Sequence, residues 1–317
     1  MRAIGTAAVA AQVVLVTAGA PLLAGTMRQV RARLEGRAGP GVGQPWRDLR
    51  KLLRKEAITP VGTGPAFRLA PLLLVSTTAV VAALVPLAST TTPVSGKADL
   101  ILVVALLALG TVALALAGLD TGTAFGGMGA SRGMTVAALV EPTILLAAVA
   151  LSIPAGSTNL ATIVGDGVRD PVRLASPAGL LATAALAVGV LAETGRLPVD
   201  NPSTHLELTM VHEAMVLEYA GPDLALVELG AQMRLAVLLG LLTSLAAPWG
   251  IATTASPAAL ALALVLLTAK VALLGTALAA AEVFWAKLRL FRVPELLAGS
   301  FLLALLAVTA SYFLTGE

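Results

Sequence analysis

Apolar segments long enough to cross a lipid bilayer recur along the whole chain. A membrane-spanning helix needs about 20 mostly apolar residues. The 317-residue sequence is 57% hydrophobic and only 12% charged, whereas charged residues make up roughly a quarter of a typical soluble domain. The apolar runs are continuous rather than alternating with polar residues, which favours helices over the strands of a membrane barrel. The sequence therefore predicts an all-α integral membrane protein.

We expect about eight transmembrane helices, with cytoplasmic amphipathic helices, in a single polytopic membrane domain that covers residues 1–317. The predicted spans are 4–27, 69–89, 99–118, 134–153, 177–194, 230–249, 257–281 and 295–314. Glycine and proline collect in the connections between them, as in the segment 36–45, which is typical of turns. A soluble helical bundle is the alternative class, and the lengths of the apolar runs disfavour it.

Lysine and arginine are concentrated in alternate connections. Most of the 21 basic residues lie in the first, third, fifth and seventh connections, with the largest group in the segment 28–68. Because basic loops are retained on the cytoplasmic side, we predict cytoplasmic polar loops and both termini outside, in a bacterial or archaeal plasma membrane. The opposite side carries only Arg2, Lys97, Arg169 and Arg173.

The available residue types limit the chemistry of this chain. It has no cysteine, so we expect it to hold no iron–sulfur cluster or disulfide by itself. His205 and His212 are its only histidines, and neither belongs to an HExxH pattern, so we expect no metal site. Basic residues that follow membrane topology, with 3% aromatic content, do not predict nucleic-acid binding. We expect any redox centre to belong to partner subunits or to a diffusing substrate.

The segment 44–57 is predicted to form an amphipathic helix. Trp46, Leu49, Leu52 and Leu53 fall on one stripe, and basic residues cover the remaining surface. Such a helix is typical of the membrane interface, where it lies on anionic lipid. The alternative interpretation is a platform that also contacts a peripheral subunit.

The segment 118–142 links the third and fourth predicted spans and is rich in glycine, so we expect irregular backbone at its start. Asp120 and Arg132 are placed to pair across it. Glu141 falls about two turns into the fourth span, where an ionised carboxylate is costly unless it is paired or hydrated. Two interpretations stay open for Glu141: a neutral carboxyl bonded to a neighbouring helix, or a member of a proton path.

Acidic side chains and both histidines are concentrated in the segment 191–222. Clustered carboxylates raise one another's pKa and can pass protons near neutral pH, so we predict a working surface for charge or for partner subunits. Some of these acids are expected to be ordinary solvated charges, and His205 and His212 to bond carboxylates or a partner. The charged candidates in this segment are Glu193, Arg196, Asp200, Glu207, Glu213 and Glu218.

Lys270 lies near the middle of the seventh predicted span. An isolated ammonium there is expected to face the interior of the bundle and to pair with an acid or lose its proton. Glu282 is three turns away on a similar face of the helix. We predict a relay role for Lys270.

Several short motifs together resemble the membrane subunit shared by respiratory complex I and membrane-bound [NiFe] hydrogenases. AETGRLPVD in the segment 192–200 and LEY in the segment 217–219 are similar to both branches, as is GRAGPG…QPWRDLRKLLRKE. Features of the hydrogenase branch, closest to formate hydrogenlyase and hydrogenase-4 members, are GLDTGTAF, GASR, VEP, GSTN, Lys270 and AKLRLFRVPELL. The resemblance covers essentially the full chain.

The resemblance implies a membrane-anchor and proton-coupling subunit without a redox centre of its own. The [NiFe] centre and the iron–sulfur clusters would belong to the hydrogenase large and small subunits, which dock on the cytoplasmic loops. Our candidates for this docking are Arg132, His205 and His212. A hydrated path of charges would lead to antiporter-like membrane subunits. The positions that the resemblance implies for that path are Glu141, Glu193, Arg196, Asp200, Glu207, Glu218 and Lys270. Asp120, Glu213 and Glu282 are further candidates, taken from their own residue types and places in the sequence.

A second function stays open at this point. The quinone-site membrane subunit of NADH:quinone oxidoreductase (complex I) would use the loops of the same side to form a quinone cavity. However, THLELTMVHEAM stands in the segment 204–215, where the quinone-using subunits carry a stretch rich in glycine and serine. An independent secondary transporter would place substrate groups at broken helices near the midplane of the membrane, where the sequence offers only Lys270.

Overall fold

A computed structural model describes residues 2–200, 210–285, 288 and 292–315 of the chain. Within these ranges it forms eleven α-helices and no β-strand. The helices, in chain order, are α1 (Arg2–Leu34), α2 (Gln44–Leu52), α3 (Pro65–Leu84), α4 (Leu100–Asp120), α5 (Ala124–Ser152), α6 (Leu160–Arg169), α7 (Pro177–Glu193), α8 (His212–Val216), α9 (Gly221–Ala246), α10 (Pro257–Phe284) and α11 (Val293–Thr315).

Seven of these helices are long and apolar enough to cross a membrane, namely α1, α3, α4, α5, α9, α10 and α11. Helix α7 is a shorter apolar helix of 17 residues at the place of the fifth predicted span. The prediction of an all-α integral membrane protein is therefore confirmed. The amphipathic helix predicted over the segment 44–57 is shorter than expected, because α2 ends at Leu52.

The irregular backbone predicted for the start of the segment 118–142 is confined to residues 121–123, because α4 continues to Asp120 and α5 is already helical at Ala124. The hydroxyl of Thr123 accepts a hydrogen bond from the amide of Gly126 and so caps the helix. The glycines serve close packing, since a Cβ on Gly129 would lie 2.8 Å from the Cβ of Ala214. Glycine is therefore retained there for the approach of α8, at a modest cost in helix propensity.

The predicted start of the sixth span is wrong, because α9 begins at Gly221 instead of residue 230. Pro222 stands in its first turn and Asp223 follows, which suits the N-terminus of a helix. Polar residues in these first turns lower the local hydropathy, so a search for apolar runs does not detect the first turns of the helix. Arg234, which we count with the basic residues of the cytoplasmic side although it falls within the predicted span 230–249, lies inside α9 and is buried.

Helix α9 lies at the centre of the bundle. Its most apolar stretch is 72% buried, compared with 17% for α10. Helices α1, α3 and α7 pack around α9, while α4 and α5 continue the layer from α3 to α7. Helix α11 packs against α5 and α7, and α10 lies outside the layer against α1 and α9. One large apolar core joins most of these helices, and a second, smaller cluster around Phe67 and Tyr219 joins α3, α4, α5, α8 and α9.

One end of the bundle, called here the basic end, carries the connection that holds α2, the turn between α4 and α5, and the segment around α8. The opposite end is closed by hydrogen bonds between its connections, such as that from the amide of Leu100 to the carbonyl of Thr158, 3.0 Å. Asp99 caps α4 there and accepts a 2.6 Å hydrogen bond from the hydroxyl of Thr158, which lowers the pKa of Asp99.

Helix α9 ends beside the middle of α10, and Lys270 closes that end. The Lys270 ammonium donates to the carbonyl oxygens of Ala247, at 2.6 Å, and of Trp249. It also lies 4.1 Å from the centroid of the Trp249 ring. The last carbonyls of a helix have no intrahelical partner, and lipid offers them none. Lys270 thus faces the interior as expected, but within the described residues its partners are carbonyls and not an acid.

We expect Lys270→Met to lower the free energy of unfolding by about 2 kcal/mol, because the buried carbonyls of Ala247 and Trp249 lose their donor. Lys270→Arg should lose less, since the guanidinium keeps donors at that place. The measurement is a denaturant titration of the purified protein in detergent. Thr268→Val, on an exposed turn of the same helix, is the control and should change little. Equal stability of Lys270→Met and the wild type would contradict the capping role.

Candidate functional site

A polar cavity of about 710 Å³ opens at the basic end of the bundle. Residues from α1, α3, α4, α5, α7, α8, α9, α10 and α11 line it, together with the segments that follow α1 and α7. Its apolar wall includes Met27, Leu114 and Leu235. The charged lining contains five arginines and five carboxylates beside His212. These are Arg28, Arg31, Arg37, Arg196, Arg234, Glu193, Asp200, Glu213, Glu228 and Glu282.

A buried ion pair joins Glu193, at the end of α7, to Arg234 in α9. Their side chains are 5% and 8% exposed. The same guanidinium nitrogen donates to the carbonyl of Leu107 at 2.8 Å and to the hydroxyl of Thr111 at 2.6 Å. Thr111 in turn lies 3.1 Å from the Glu193 carboxylate. Burial of two charges is tolerated because each finds further polar partners in α4.

Gly110 makes room for this pair. A Cβ at Gly110 would lie 3.1 Å from a guanidinium nitrogen of Arg234 and 3.2 Å from the hydroxyl of Thr77. A larger side chain would therefore crowd the position where α3, α4 and α9 meet. The site depends on close approach of helices and not only on the charged residues.

A second ionic cluster surrounds Glu282, whose side chain is 1% exposed near the end of α10. Its carboxylate pairs with Arg31 of α1 and lies 3.6 Å from a guanidinium nitrogen of Arg196, which follows α7. Burial lowers the pKa of Arg196, and the Glu282 carboxylate opposes that shift. The amide of Leu288 donates to the carbonyl of Pro198 at 3.0 Å, so the chain beyond α10 is also joined to this loop.

Asp120 has a structural role, and the predicted pairing with Arg132 is wrong. Its carboxylate accepts hydrogen bonds from the amides of Gly64, at 2.8 Å, and Phe67, at 3.0 Å, and thereby caps α3. Arg132 donates instead to the carbonyl of Met210 at 3.1 Å. Arg132 therefore holds the start of the segment that leads into α8, beside the cavity.

Tyr219, in the LEY motif, anchors the start of α9 to α3. Its ring stacks on Phe67 with centroids 4.1 Å apart, and its hydroxyl donates to the carbonyl of Phe67 at 2.7 Å. Burial raises the pKa of Tyr219, with smaller contributions from Asp223 and Asp120. The phenol therefore stays a neutral hydrogen-bond donor, which is suited to a structural anchor.

Glu141 lies in α5, outside the lining of the cavity. Its carboxylate interacts electrostatically with Glu193 and Arg234. Among the described residues, its buried Oε1 atom has no hydrogen-bond partner. A buried carboxyl oxygen of this kind calls for a proton, a water molecule or a group from a neighbouring chain. The interpretation as a carboxyl bonded to a neighbouring helix finds no support for this atom within the described part of the chain.

The structure brings together only part of the predicted site. Glu193, Arg196, Asp200, Glu213, Glu282 and His212 line the polar cavity. Glu218 is half-buried in the turn before α9 and does not line it, and Asp120, Arg132 and Lys270 lie elsewhere. Glu207 and His205 lie outside the described residues. Within the described ranges, no group of three or more His, Asp and Glu side chains is placed to hold a metal ion.

Several residues of the cavity escape prediction from the sequence. Arg234 looks there like one more basic residue of the cytoplasmic side. It nevertheless falls within the predicted span 230–249, where an arginine is costly and so signals a buried partner. Arg31 looks only like a marker of orientation, yet it pairs with Glu282. Glu228 and Gln232 precede the apolar run of α9 and so attract no attention, but they also line the cavity.

The chain resembles proteins of known classes over nearly its whole length. The profile of the NADH dehydrogenase family matches residues 6–312. Hydrogenase-4 component C of Escherichia coli (strain K12) is 36% identical over 309 residues, which cover 96% of this chain and 95% of that protein. Formate hydrogenlyase subunit 4 of the same organism is 34% identical over 296 residues, covering 93% and 95%.

More distant similarity reaches a second class. NADH-quinone oxidoreductase subunit 8 of Rhodothermus marinus is 28% identical over 207 residues, which cover 61% of this chain and 59% of that protein. A chain in the structure of the membrane-bound sulfane sulfur reductase, an archaeal respiratory membrane complex, has the same fold, with a TM-score of 0.80 and 19% identity over 96% of this chain and 99% of that one. The resemblance derived from the motifs is thus confirmed, and the chain belongs to the NADH dehydrogenase family.

Proposed function

We propose that this chain is the membrane-anchor and proton-coupling subunit of a multisubunit [NiFe] hydrogenase complex, of the formate hydrogenlyase-like or energy-converting kind. The names of its two relatives from Escherichia coli support the hydrogenase assignment. The observation that carries the coupling role is the buried pair of Glu193 and Arg234 beside the polar cavity. A plain anchor has no need of such a costly group of charges.

The pair is suited to respond to a change of charge in its surroundings. In an environment of low effective dielectric, two unit charges about 4 Å apart interact by about 4 kcal/mol. A proton arriving at or leaving a neighbouring carboxyl group therefore shifts the balance between Glu193 and Arg234. Glu141 is such a neighbour, since its electrostatic partners are these same two residues.

The cavity provides a route for protons to reach this pair. Its wall carries acids and bases in equal number, from Glu213 at α8 to Glu193 and Arg234 at depth, and water in a polar space of this size can connect them. Proton transfer then proceeds between groups held in place by ion pairs and by hydrogen bonds to the backbone. Glu141 would pass the charge sideways, toward a neighbouring membrane subunit.

The redox chemistry would reside outside this chain. The [NiFe] centre and the iron–sulfur clusters belong, in this proposal, to the hydrogenase large and small subunits, docked over the mouth of the cavity. The basic end then faces the cytoplasm, as the distribution of lysine and arginine indicates. Antiporter-like membrane subunits would adjoin the face that carries Glu141. The relatives are named as components or subunits, which supports the need for partners.

We expect Glu141→Gln and Glu193→Gln each to lower proton translocation coupled to turnover by about tenfold or more, while the complex still assembles. At position 193 the amide oxygen of glutamine can still accept a hydrogen bond from Arg234, although the guanidinium loses its counter-ion. Assembly of each variant is therefore checked by co-purification of the complex. The measurement is proton uptake or release by the complex in sealed vesicles. Glu295→Gln, at an exposed acid of the same end, is the matched control. Full coupling in both variants would exclude a proton path through these residues.

Charge reversal at Glu207 and Glu213 should release the hydrogenase subunits from the membrane, because acidic groups of the segment 191–222 would contribute to docking. The measurement is co-purification of the large and small subunits with this chain. Asp170→Lys, at the opposite end of the bundle, is the control, and its exposed pair with Arg173 contributes little. Undiminished co-purification would count against docking at this surface.

A quinone-binding role is the second candidate, suggested by the relative named NADH-quinone oxidoreductase subunit 8. The size of the cavity favours it, because about 710 Å³ lies within the range of sites for small molecules. The wall is also largely apolar, as in sites for small molecules. The ten charged side chains on it favour the hydrogenase assignment, since such sites use only a few polar groups.

The two candidates differ in the activity of the isolated complex. In the hydrogenase assignment, we expect the purified complex to evolve or oxidise hydrogen and to have no quinone reductase activity. It should also retain no ubiquinone or menaquinone after extraction. Quinone reduction that is abolished by a bulky substitution in the wall, such as Ala24→Trp, would instead establish the second candidate.

A further inference from the structure

Helix α2 starts beside the apolar part of α1 and not beyond its end. The carbonyl oxygen of Val42 lies directly against Gly25, where a Cβ atom would be only 1.9 Å from it. Gly25 precedes Arg31 by six residues, or about 9 Å along the helix axis. The connection after α1 therefore folds back along α1 before α2 begins.

Trp46 extends this contact further along α1. Its indole nitrogen donates to the carbonyl of Ala18 at 3.2 Å. Ala18 shares an exposed stripe with Val14, 64% exposed, and Leu22, 45% exposed, since residues four apart lie on one face of a helix. An exposed apolar stripe on a spanning helix faces lipid. Pro45, just before Trp46, lies against Gly25, near the end of the predicted span 4–27, and the ring of Trp46 reaches from there toward the middle of α1 along this stripe. Tryptophan is enriched at this boundary of membrane proteins.

Basic side chains follow Trp46 immediately and remain exposed. Arg47, Arg50, Lys51, Arg54 and Lys55 are all exposed, and within the described ranges none of them forms an ion pair. Asp48, the acid of α2, is already engaged by Gln44 at 2.7 Å and by Arg28 at 3.9 Å. The surface therefore carries a net positive charge that nothing in the described chain neutralises.

We propose that this surface, formed by α2 and the turn through Lys55, binds the headgroups of anionic phospholipids. In this proposal, Trp46 at the lipid-facing stripe fixes how deeply α2 lies in the membrane. The basic side chains then lie at the level of the lipid phosphates. Anionic lipid attracts each such side chain near the surface and favours this arrangement of an aromatic anchor beside basic residues. Charge complementarity and continuity with the stripe of α1 identify lipid as the occupant.

An acidic peripheral protein is the competing occupant. It would match the charge but would leave Trp46 and the neighbouring Leu53, 57% exposed, without an apolar partner. Lipid satisfies both the charge and the apolar side chains, because headgroups and acyl chains meet at this depth. The proposal is independent of the coupling role, since none of the five basic residues lines the polar cavity.

The test uses the whole purified complex and the double variant Arg50→Gln/Lys51→Gln. Neither side chain contacts another described residue through a hydrogen bond or ion pair, so assembly should be unaffected. The complex is titrated with phosphatidylglycerol or with phosphatidylcholine, and bound lipid is counted by native mass spectrometry. We expect the double variant to bind phosphatidylglycerol about 25-fold more weakly, at about fivefold for each charge, with phosphatidylcholine binding unchanged.

The control Lys97→Gln/Arg169→Gln removes two exposed charges at the opposite end and should retain the affinity of the wild type. Added salt should weaken phosphatidylglycerol binding to the wild type more than to the double variant. Unchanged binding in the double variant, or equal loss in the control, would overturn the proposal. Loss of peripheral subunits from the double variant with phosphatidylglycerol binding intact would assign the surface to a protein partner instead.

Discussion

The burial of Glu193 against Arg234 constrains the centre of this structure. Removing two charges from water costs several kcal/mol for each ion, and breaking such a pair leaves an uncompensated charge. The partners come from α7 and α9, and α4 supplies Thr111 and the carbonyl of Leu107. A displacement of one helix would separate these groups and leave buried charges without partners, at a cost of several kcal/mol. The ion pair therefore fixes how three helices meet, and it does so at the wall of the cavity.

The same logic accounts for the attachment of α10, which has little apolar burial of its own. Glu282 ties one end of it to Arg31 and Arg196. Twelve residues away, about 18 Å along the helix, Lys270 ties its middle to the end of α9. Polar contacts at two levels thus hold a helix that packing alone attaches weakly. Lipid tails are as apolar as leucine, so burial of apolar side chains does not favour contact with a helix over contact with lipid. Polar contacts such as these favour the helix.

Much of the fold was predictable because membrane helices need long apolar runs and little else. The spans, and the cluster of charged residues between α7 and α9, could be recognised in the sequence for that reason. The prediction was wrong where the local composition reflects contacts with distant parts of the chain. The glycines of α5 looked like irregular backbone, but they admit α8 at Gly129. The site was harder, since Glu193 and Glu282 could be named while their partners, Arg234 and Arg31, looked like topology signals.

The sequence by itself determined the class of protein, the approximate places of the membrane spans, the family and the absence of any cysteine ligand for a redox centre. These follow from composition and from local order along the chain, which need no knowledge of neighbours in space. Only the tertiary structure decided that Lys270 caps α9, that Asp120 caps α3 and that Glu193 finds Arg234. The energy of a charge in a membrane protein depends on the few groups within a few ångströms of it, and the packing of helices chooses those groups.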